Sequence, residues 1–90
     1  MLDSELTHEL FAVERALREI SAEFWRARKK HSRLASAHEG YAVILEELDE
    51  AWDEIKRDDL PAARREMVQV AAMALAFLVE VAPEVKEELP

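Results

Sequence analysis

Cysteine is absent from this chain of 90 residues, and glycine and proline are rare, with one and three residues respectively. The absence of cysteine excludes disulfides, zinc thiolates and a cysteine nucleophile, and it fits a cytosolic protein. Because so few residues favour tight turns, we expect few and long regular elements. The length allows a single domain, which we assign to residues 1–90.

Basic residues are also in short supply: 12 lysine and arginine residues stand against 20 acidic ones, for a net charge of −8. A generic nucleic-acid interface or an anionic membrane surface calls for the opposite sign, so neither is an expected partner. The N-terminal sequence MLDSEL lacks the basic start and apolar region of a signal peptide. The longest apolar run, residues 70–79, is shorter than the about 20 residues that span a bilayer. We therefore expect a cytoplasmic protein.

The apolar pattern predicts an all-α fold. In the first helix, apolar side chains recur at intervals of four, three, four, three and four residues, close to a coiled-coil seam: Leu6, Leu10, Val13, Leu17, Ile20 and Phe24. Ser36 and Glu39 form a capping box that opens the second helix. Pro61 lies in the first turn of the third helix, and Pro83 follows its end. The predicted helices span about residues 4–30, 36–58 and 61–81, with a short turn near the C-terminus.

The third helix is apolar on most of its sides between Met67 and Val79. Such a helix must be covered on all sides, and two further helices of the same subunit do not suffice. A chain of this length is also marginal as a monomer, because it buries only about 60% of its unfolded surface. We predict a homo-oligomeric helical bundle, a homodimer or homotetramer, with this helix near its centre. A bundle within one subunit is the alternative.

The second helix carries two groups of acidic side chains. At about 100° per residue, Glu47, Glu50 and Glu54 lie beside the apolar arc, where a neighbouring helix would meet them. The other group points outward and is explained by solvent: Glu46, Asp49 and Asp53.

The third helix supplies a matching pair, Glu66 and Gln69, with the same offset as Glu47 and Glu50. Clustered carboxylates repel each other, and a carboxylate on an apolar helix needs a partner. A divalent cation between the helices would relieve both costs, with oxygen ligands at about 2.0–2.1 Å from a magnesium ion. We predict a site for Mg²⁺, with Mn²⁺ as an alternative, formed by Glu47, Glu50, Glu66 and Gln69.

The arrangement Glu46-Glu47-x-x-Glu50, fifteen further residues and Glu66-x-x-Gln69 resembles the motif of the MazG-like, all-α nucleoside triphosphate pyrophosphatases. That motif is E-E-x-x-E, a variable spacer and E-x-x-D. The resemblance covers about residues 31–81. Gln69 departs from it, since the motif has an aspartate there. An amide can ligate a metal through its carbonyl oxygen, but it brings no charge.

The resemblance implies a magnesium-dependent hydrolase that converts a nucleoside triphosphate and water into a monophosphate and pyrophosphate, for example to clean the nucleotide pool. Metal ions would bind the triphosphate and activate the attacking water. By analogy, Glu46 or Glu54 orients that water. The basic stretch at the end of the first helix, together with a nearby histidine, is the candidate substrate-binding group: Arg28, Lys29, Lys30, Arg33 and His38.

Plainer interpretations stay open. An acidic run on a helix is commonly a solvated face, and a basic run at a helix end is favoured by the helix dipole. The substrate could also differ, since the same superfamily includes phosphoribosyl-ATP pyrophosphatases and dimeric dUTPases. The alternative from another class is a non-catalytic, acidic helical module for oligomerisation or partner binding, and Gln69 keeps this alternative open.

Overall fold

A computed structural model of the chain describes residues 3–83, and in that range it contains three α-helices and no strand. They are α1 Ser4–Lys30, α2 Ala37–Lys56 and α3 Leu60–Ala76, and a π-helical turn, Phe77–Val81, continues α3. The all-α prediction is confirmed, and apart from the end of the third helix the predicted bounds agree to within two residues. The predicted C-terminal turn lies outside the described residues.

Each helix begins at a side chain that caps it. The Asp3 carboxylate accepts a hydrogen bond from the Leu6 amide at 2.8 Å, and Asp59 accepts one from the Ala62 amide at 3.0 Å. The Ser36 hydroxyl accepts one from the Glu39 amide at 3.1 Å. The Glu39 carboxylate completes this cap one residue earlier than a standard capping box, because it accepts from the Ala35 amide at 2.5 Å. The caps pair amides that the helix itself leaves free.

A short hairpin joins α2 to α3. The chain leaves α2 at Arg57, adopts the left-handed conformation at Asp58 with φ of 59°, and enters the next cap at Asp59. Asp tolerates this conformation better than most residues. The second helix is therefore two residues shorter at its C-terminal end than predicted, and the hairpin directs α3 back along α2.

The end of α3 differs from the prediction of one continuous α-helix to residue 81. The α-helix ends at Ala76, and residues Phe77–Val81 form a wider π-helical turn. This turn holds Glu80, whose carboxylate binds the Arg28 guanidinium and also accepts a hydrogen bond from the Leu34 amide at 2.8 Å. The turn thus ties α3 to the end of α1 and to the connector that follows it.

Helix α3 lies between α1 and α2 and packs on both of them. Pairing of Glu19 with Arg64, in addition to Arg28 with Glu80, shows that α1 and α3 run in the same direction. At the centre of the core Phe24 is buried against two alanines of α3, and four partly buried apolar side chains surround them: Ile20, Leu34, Met73 and Leu75. Small residues on α3 let its neighbours approach closely.

The N-terminal part of α1, residues 4–18, remains open along its apolar seam, and we call it the arm. Its seam residues are all exposed: Leu6, Leu10, Val13 and Leu17. The predicted seam therefore packs within the subunit only from Ile20 onward. None of the helices in residues 3–83 combines the length and apolar character needed to cross a bilayer.

Gly40 of α2 lies where the π-helical turn approaches most closely. A Cβ atom at this position would lie 2.6 Å from Cδ2 of Phe77. We expect Gly40→Ala to lower the free energy of unfolding by about 1 kcal/mol, because a clash of about 1–3 kcal/mol outweighs the gain in helix propensity. Chemical denaturation measures this change. Ala42→Gly, at an exposed position of the same helix, reports propensity alone, and a more stable Gly40→Ala protein would contradict the packing.

Candidate metal centre

A cleft of about 570 Å³ opens between the end of α1, the connector that follows it, α2 and α3. Helix α2 contributes carboxylates to its lining: Glu39, Glu46 and Glu47. The end of α1 contributes positive charge: Arg26, Arg28 and Lys30. Several apolar side chains complete the lining: Phe24, Leu34, Val43 and Met73. The cleft therefore brings acidic, basic and apolar groups within reach of one ligand.

Three predicted metal ligands come together beside this cleft, and one of them, Glu47, is part of its lining. Glu47 and Glu50 of α2 and Glu66 of α3 each offer a carboxylate oxygen, and these oxygens lie within 4.8 Å of one another. The three-residue spacing places the first two on one side of α2, and the antiparallel course of α3 brings Glu66 opposite them. Oxygens on opposite sides of a magnesium ion are about 4.2 Å apart, so small side-chain rotations would let all three bind one ion. We call these residues the carboxylate trio.

The trio is electrostatically costly when all its members are ionised. Partial burial, followed by repulsion from Glu50 and Glu66, raises the pKa of Glu47. Burial also raises the pKa of Glu66, followed by repulsion from Glu50 and by a hydrogen bond that protonated Glu66 donates to Glu50. Both shifts favour a proton in place of a charge. A divalent cation would relieve the same repulsion without a proton, and the oxygen-only donor set suits a hard cation such as Mg²⁺.

A fourth carboxylate, Glu23 of α1, was missed by the sequence reasoning. Its side chain is 11% exposed and accepts two hydrogen bonds from the Arg26 guanidinium, from Nε at 2.9 Å and from Nη2 at 2.5 Å. These bonds lower the pKa of Glu23, with a further contribution from a hydrogen bond with Gln69. Glu23 also adds to the repulsion that raises the pKa of Glu47. A pairing of Glu23 with Arg26 three residues later was visible in the sequence, but nothing there indicated that both meet α3.

Gln69 lines the cleft with Glu47 and Glu23. It lies close enough to Glu23 of α1 to help lower the pKa of that carboxyl group. The neutral side chain thus stands beside a carboxylate from another helix. The negative charge that the motif aspartate would bring is supplied nearby by Glu23.

The two candidates for orienting water differ in their surroundings. Glu54 is held by Arg57, with 3.0 Å between Oε1 and Nη1, although it still raises the pKa of Glu66 by repulsion. Glu46 lines the cleft and contributes to the raised pKa of Glu47. Glu46 is exposed, as the helical wheel predicted, and it also lines the cleft between α2 and the end of α1.

The predicted substrate-binding residues divide into two groups. Arg28 and Lys30 line the cleft, whereas Lys29, Arg33 and His38 are exposed and lie outside its lining. Substrate binding by these three residues stays a prediction. For Lys29 the reason that it lies outside the lining is helix geometry, because successive residues of a helix point in different directions. Two neighbours of the run, which that list omitted, do line the cleft: Arg26 and His31.

Arg28 has a structural partner already. Its guanidinium binds the buried Glu80 carboxylate and lies 4.8 Å from the centre of the Phe24 ring. Its Nε atom is buried and has no hydrogen-bond acceptor among the described residues. Arg28 therefore supports the wall of the cleft while one of its donors remains free.

Comparison of the chain with models of known protein families, with curated proteins and with solved structures found no match. The resemblance to MazG-like pyrophosphatases consequently stays a prediction that depends on the motif residues.

The raised pKa values predict a dependence of stability on pH. Glu47 and Glu66 bind protons more tightly in the folded state, and this stabilises the fold in full at pH values below their unfolded pKa of about 4.3. The stabilisation is lost as the pH rises through the higher folded pKa. Glu66→Gln should therefore raise the free energy of unfolding at neutral pH in metal-free buffer, by less than about 1 kcal/mol after solvent screening. Chemical denaturation at acidic and at neutral pH measures this difference in the free energy of unfolding. Asp49→Asn, on the outward side of α2, is the charge-matched control, and a less stable Glu66→Gln protein would contradict the electrostatic interpretation.

Addition of a divalent cation should make the wild-type protein more stable than a variant that lacks one of the three carboxylates. We expect millimolar Mg²⁺ or Mn²⁺ to raise the melting temperature of the wild-type protein by a few degrees, because a ligand that binds only the folded state stabilises it. Glu50→Gln should lose this shift, whereas Asp49→Asn should keep it. An unchanged wild-type melting temperature would count against a metal site at the trio.

Proposed function

We propose that the protein is a magnesium-dependent nucleoside triphosphate pyrophosphohydrolase, acting in the cytoplasm on NTP or dNTP substrates. The observation that carries the proposal is the convergence of Glu47, Glu50 and Glu66 from two helices beside a cleft that Glu47 lines together with basic side chains. A polyphosphate with its metal ions needs both kinds of group. The resemblance of the motif to that of MazG-like enzymes supports the same activity.

The trio would hold the metal ions, with Gln69 or Glu23 beside them. When bound, these ions supply charge neutralisation and a water of lowered pKa. In the reaction, the water oxygen bonds to the α-phosphorus, the bond from that phosphorus to the bridging oxygen breaks, and pyrophosphate leaves. Glu46 is better placed than Glu54 to accept the proton of the water, since it lines the cleft and has no cationic partner among the described residues.

The basic side of the cleft would bind the phosphates that leave. Lys30 and Arg26 are exposed and line the cleft, so their charges can reach a ligand there. Arg28 would stay paired with Glu80 and support this side of the cleft, because its free Nε atom is buried. Apolar side chains of the lining, such as Val43 and Met73, offer a surface for a nucleobase. Neither a nucleic acid polymer nor a membrane belongs to this proposal, while self-association into a homodimer or homotetramer does.

A second candidate is a non-catalytic, acidic helical module for oligomerisation or partner binding with a degenerate metal site. The observation that favours it is the neutral side chain of Gln69, which lies beside Glu23 of α1 and brings no charge of its own to a metal. In this case the trio would be a solvated acidic face, and the exposed apolar residues would serve the partner.

A panel of ribo- and deoxyribonucleoside triphosphates with Mg²⁺, extended to dUTP and phosphoribosyl-ATP, distinguishes the two candidates. We expect pyrophosphate release from at least one substrate, and a loss of at least about 100-fold in Glu47→Gln and Glu50→Gln, because loss of a ligand should exceed the 10- to 100-fold effect of losing its support. Asp49→Asn should retain full activity. Wild-type activity in both Gln variants would refute the site. Absence of pyrophosphate release from the whole panel would favour the non-catalytic module.

A further inference from the structure

The fold exposes far more surface than a compact domain of its length. Its radius of gyration is 15.6 Å, whereas about 12 Å is expected. Its accessible surface is 7184 Å², against about 5,400 Å² for a compact monomer of this mass. The excess of about 1,800 Å² per chain would total about 3,600 Å² in a dimer, within the about 2,000–5,000 Å² of obligate homodimer interfaces.

Part of this open surface is the seam of the α1 arm. Leu10 and Leu17 are 47% and 59% exposed, and the arm extends for about 22 Å at 1.5 Å per residue. The same seam packs inside the subunit at Ile20 and Phe24. A seam that is buried at one end and open along the rest needs a partner for the open part.

A second open surface lies on α2 and α3, away from the cleft. Leu48, Trp52 and Ile55 lie about 80–140° around α2 from Glu47, on the side opposite to the cleft residue Val43. All three are exposed, as is Met67 on the neighbouring α3. We call these four residues the back face. Two packed helices present two rows of side chains with a groove between them, and a single row on another helix can fill such a groove.

We propose that the arm of one copy packs in the groove of the back face of a second copy, and that the second arm packs reciprocally on the first copy. Both surfaces are apolar and both belong to this chain, so reciprocal docking closes a two-fold dimer. This docking also keeps the two acidic clefts apart, which matters for chains that each carry a net charge of −8.

Charge favours this arrangement over pairing of the two arms. Glu9 and Glu14 flank the seam on either side, and two arms packed together would bring these carboxylates into opposition. The back face instead has Lys56 at its edge, with its Nζ atom 5.6 Å from the centre of the Trp52 ring and 3.4 Å from Oδ1 of the exposed Asp53. The inference deepens the self-association within the proposed function and does not depend on the chemistry at the cleft.

Light scattering on eluting protein tests the dimer without nucleotide or metal. We expect twice the monomer mass for the wild type, and dimerisation at least about tenfold weaker in Leu10→Glu and in Trp52→Glu. Ala12→Glu places the same charge on the arm but away from the seam, so it should leave the dimer intact. A monomeric wild type, or a Leu10→Glu dimer as stable as the wild type, would overturn the inference.

Engineered cysteines identify the contact directly, because the chain has no cysteine of its own. They provide a second test in case the glutamate variants fold poorly as monomers. We expect a mixture of Val13→Cys and Leu48→Cys proteins to form disulfide-linked dimers that contain one chain of each kind. Val13→Cys alone should cross-link much less. Equal or faster cross-linking of Val13→Cys alone would mean that the arms pair with each other and would overturn the inference. Pyrophosphate release plays no part in either measurement, so a failed enzyme assay leaves this result unaffected.

Discussion

Close packing of α2 against α3 places Glu66 opposite Glu47 and Glu50, and most other features of the site follow from this contact. The fully buried Ala51 and the buried alanines of α3 let the two helices approach closely. That approach is favourable for the apolar side chains and unfavourable for the carboxylates, and it raises the pKa values of Glu47 and Glu66. The same packing that stabilises the fold therefore stores the repulsion that a cation would relieve. Affinity for a metal and stability without it are expected to oppose each other at this trio.

The basic side of the cleft depends on a second contact, between α1 and the π-helical turn. The buried Glu80 carboxylate fixes both Arg28 and the Leu34 amide, so one residue sets the position of the helix end and of the connector. Pairing with Arg26 likewise fixes Glu23 beside Gln69. The basic residues of this region thus have two kinds of role. Arg28 is mainly a support, while the exposed Lys30 is free to meet a ligand.

Much of this arrangement could be predicted from local patterns. Periodicity and caps located the three helices, and the helical wheel selected Glu47, Glu50 and Glu66 because two faces with the same offset stand on adjacent helices. The position of α1 could not be obtained in this way, since its seam fits any apolar surface. For that reason Glu23 was missed, and the cleft that Glu46 lines was not predicted. The π-helical turn could not be predicted from the sequence pattern either, because a continuous apolar run does not indicate where an α-helix changes to a π-helix.

The short hairpin at Asp58 has a consequence for how the chain can vary in length. Only residues 57–59 separate α2 from α3. A residue inserted into α3 after this hairpin therefore rotates every later side chain about the helix axis. One added residue would turn Glu66 by about 100° away from its partners, while three or four would restore its direction but shift it by about 5 Å along the axis. The hairpin therefore fixes the phase of one acidic pair against the other. Related chains with longer spacers would need a loop that restores this phase in order to assemble the same oxygen set.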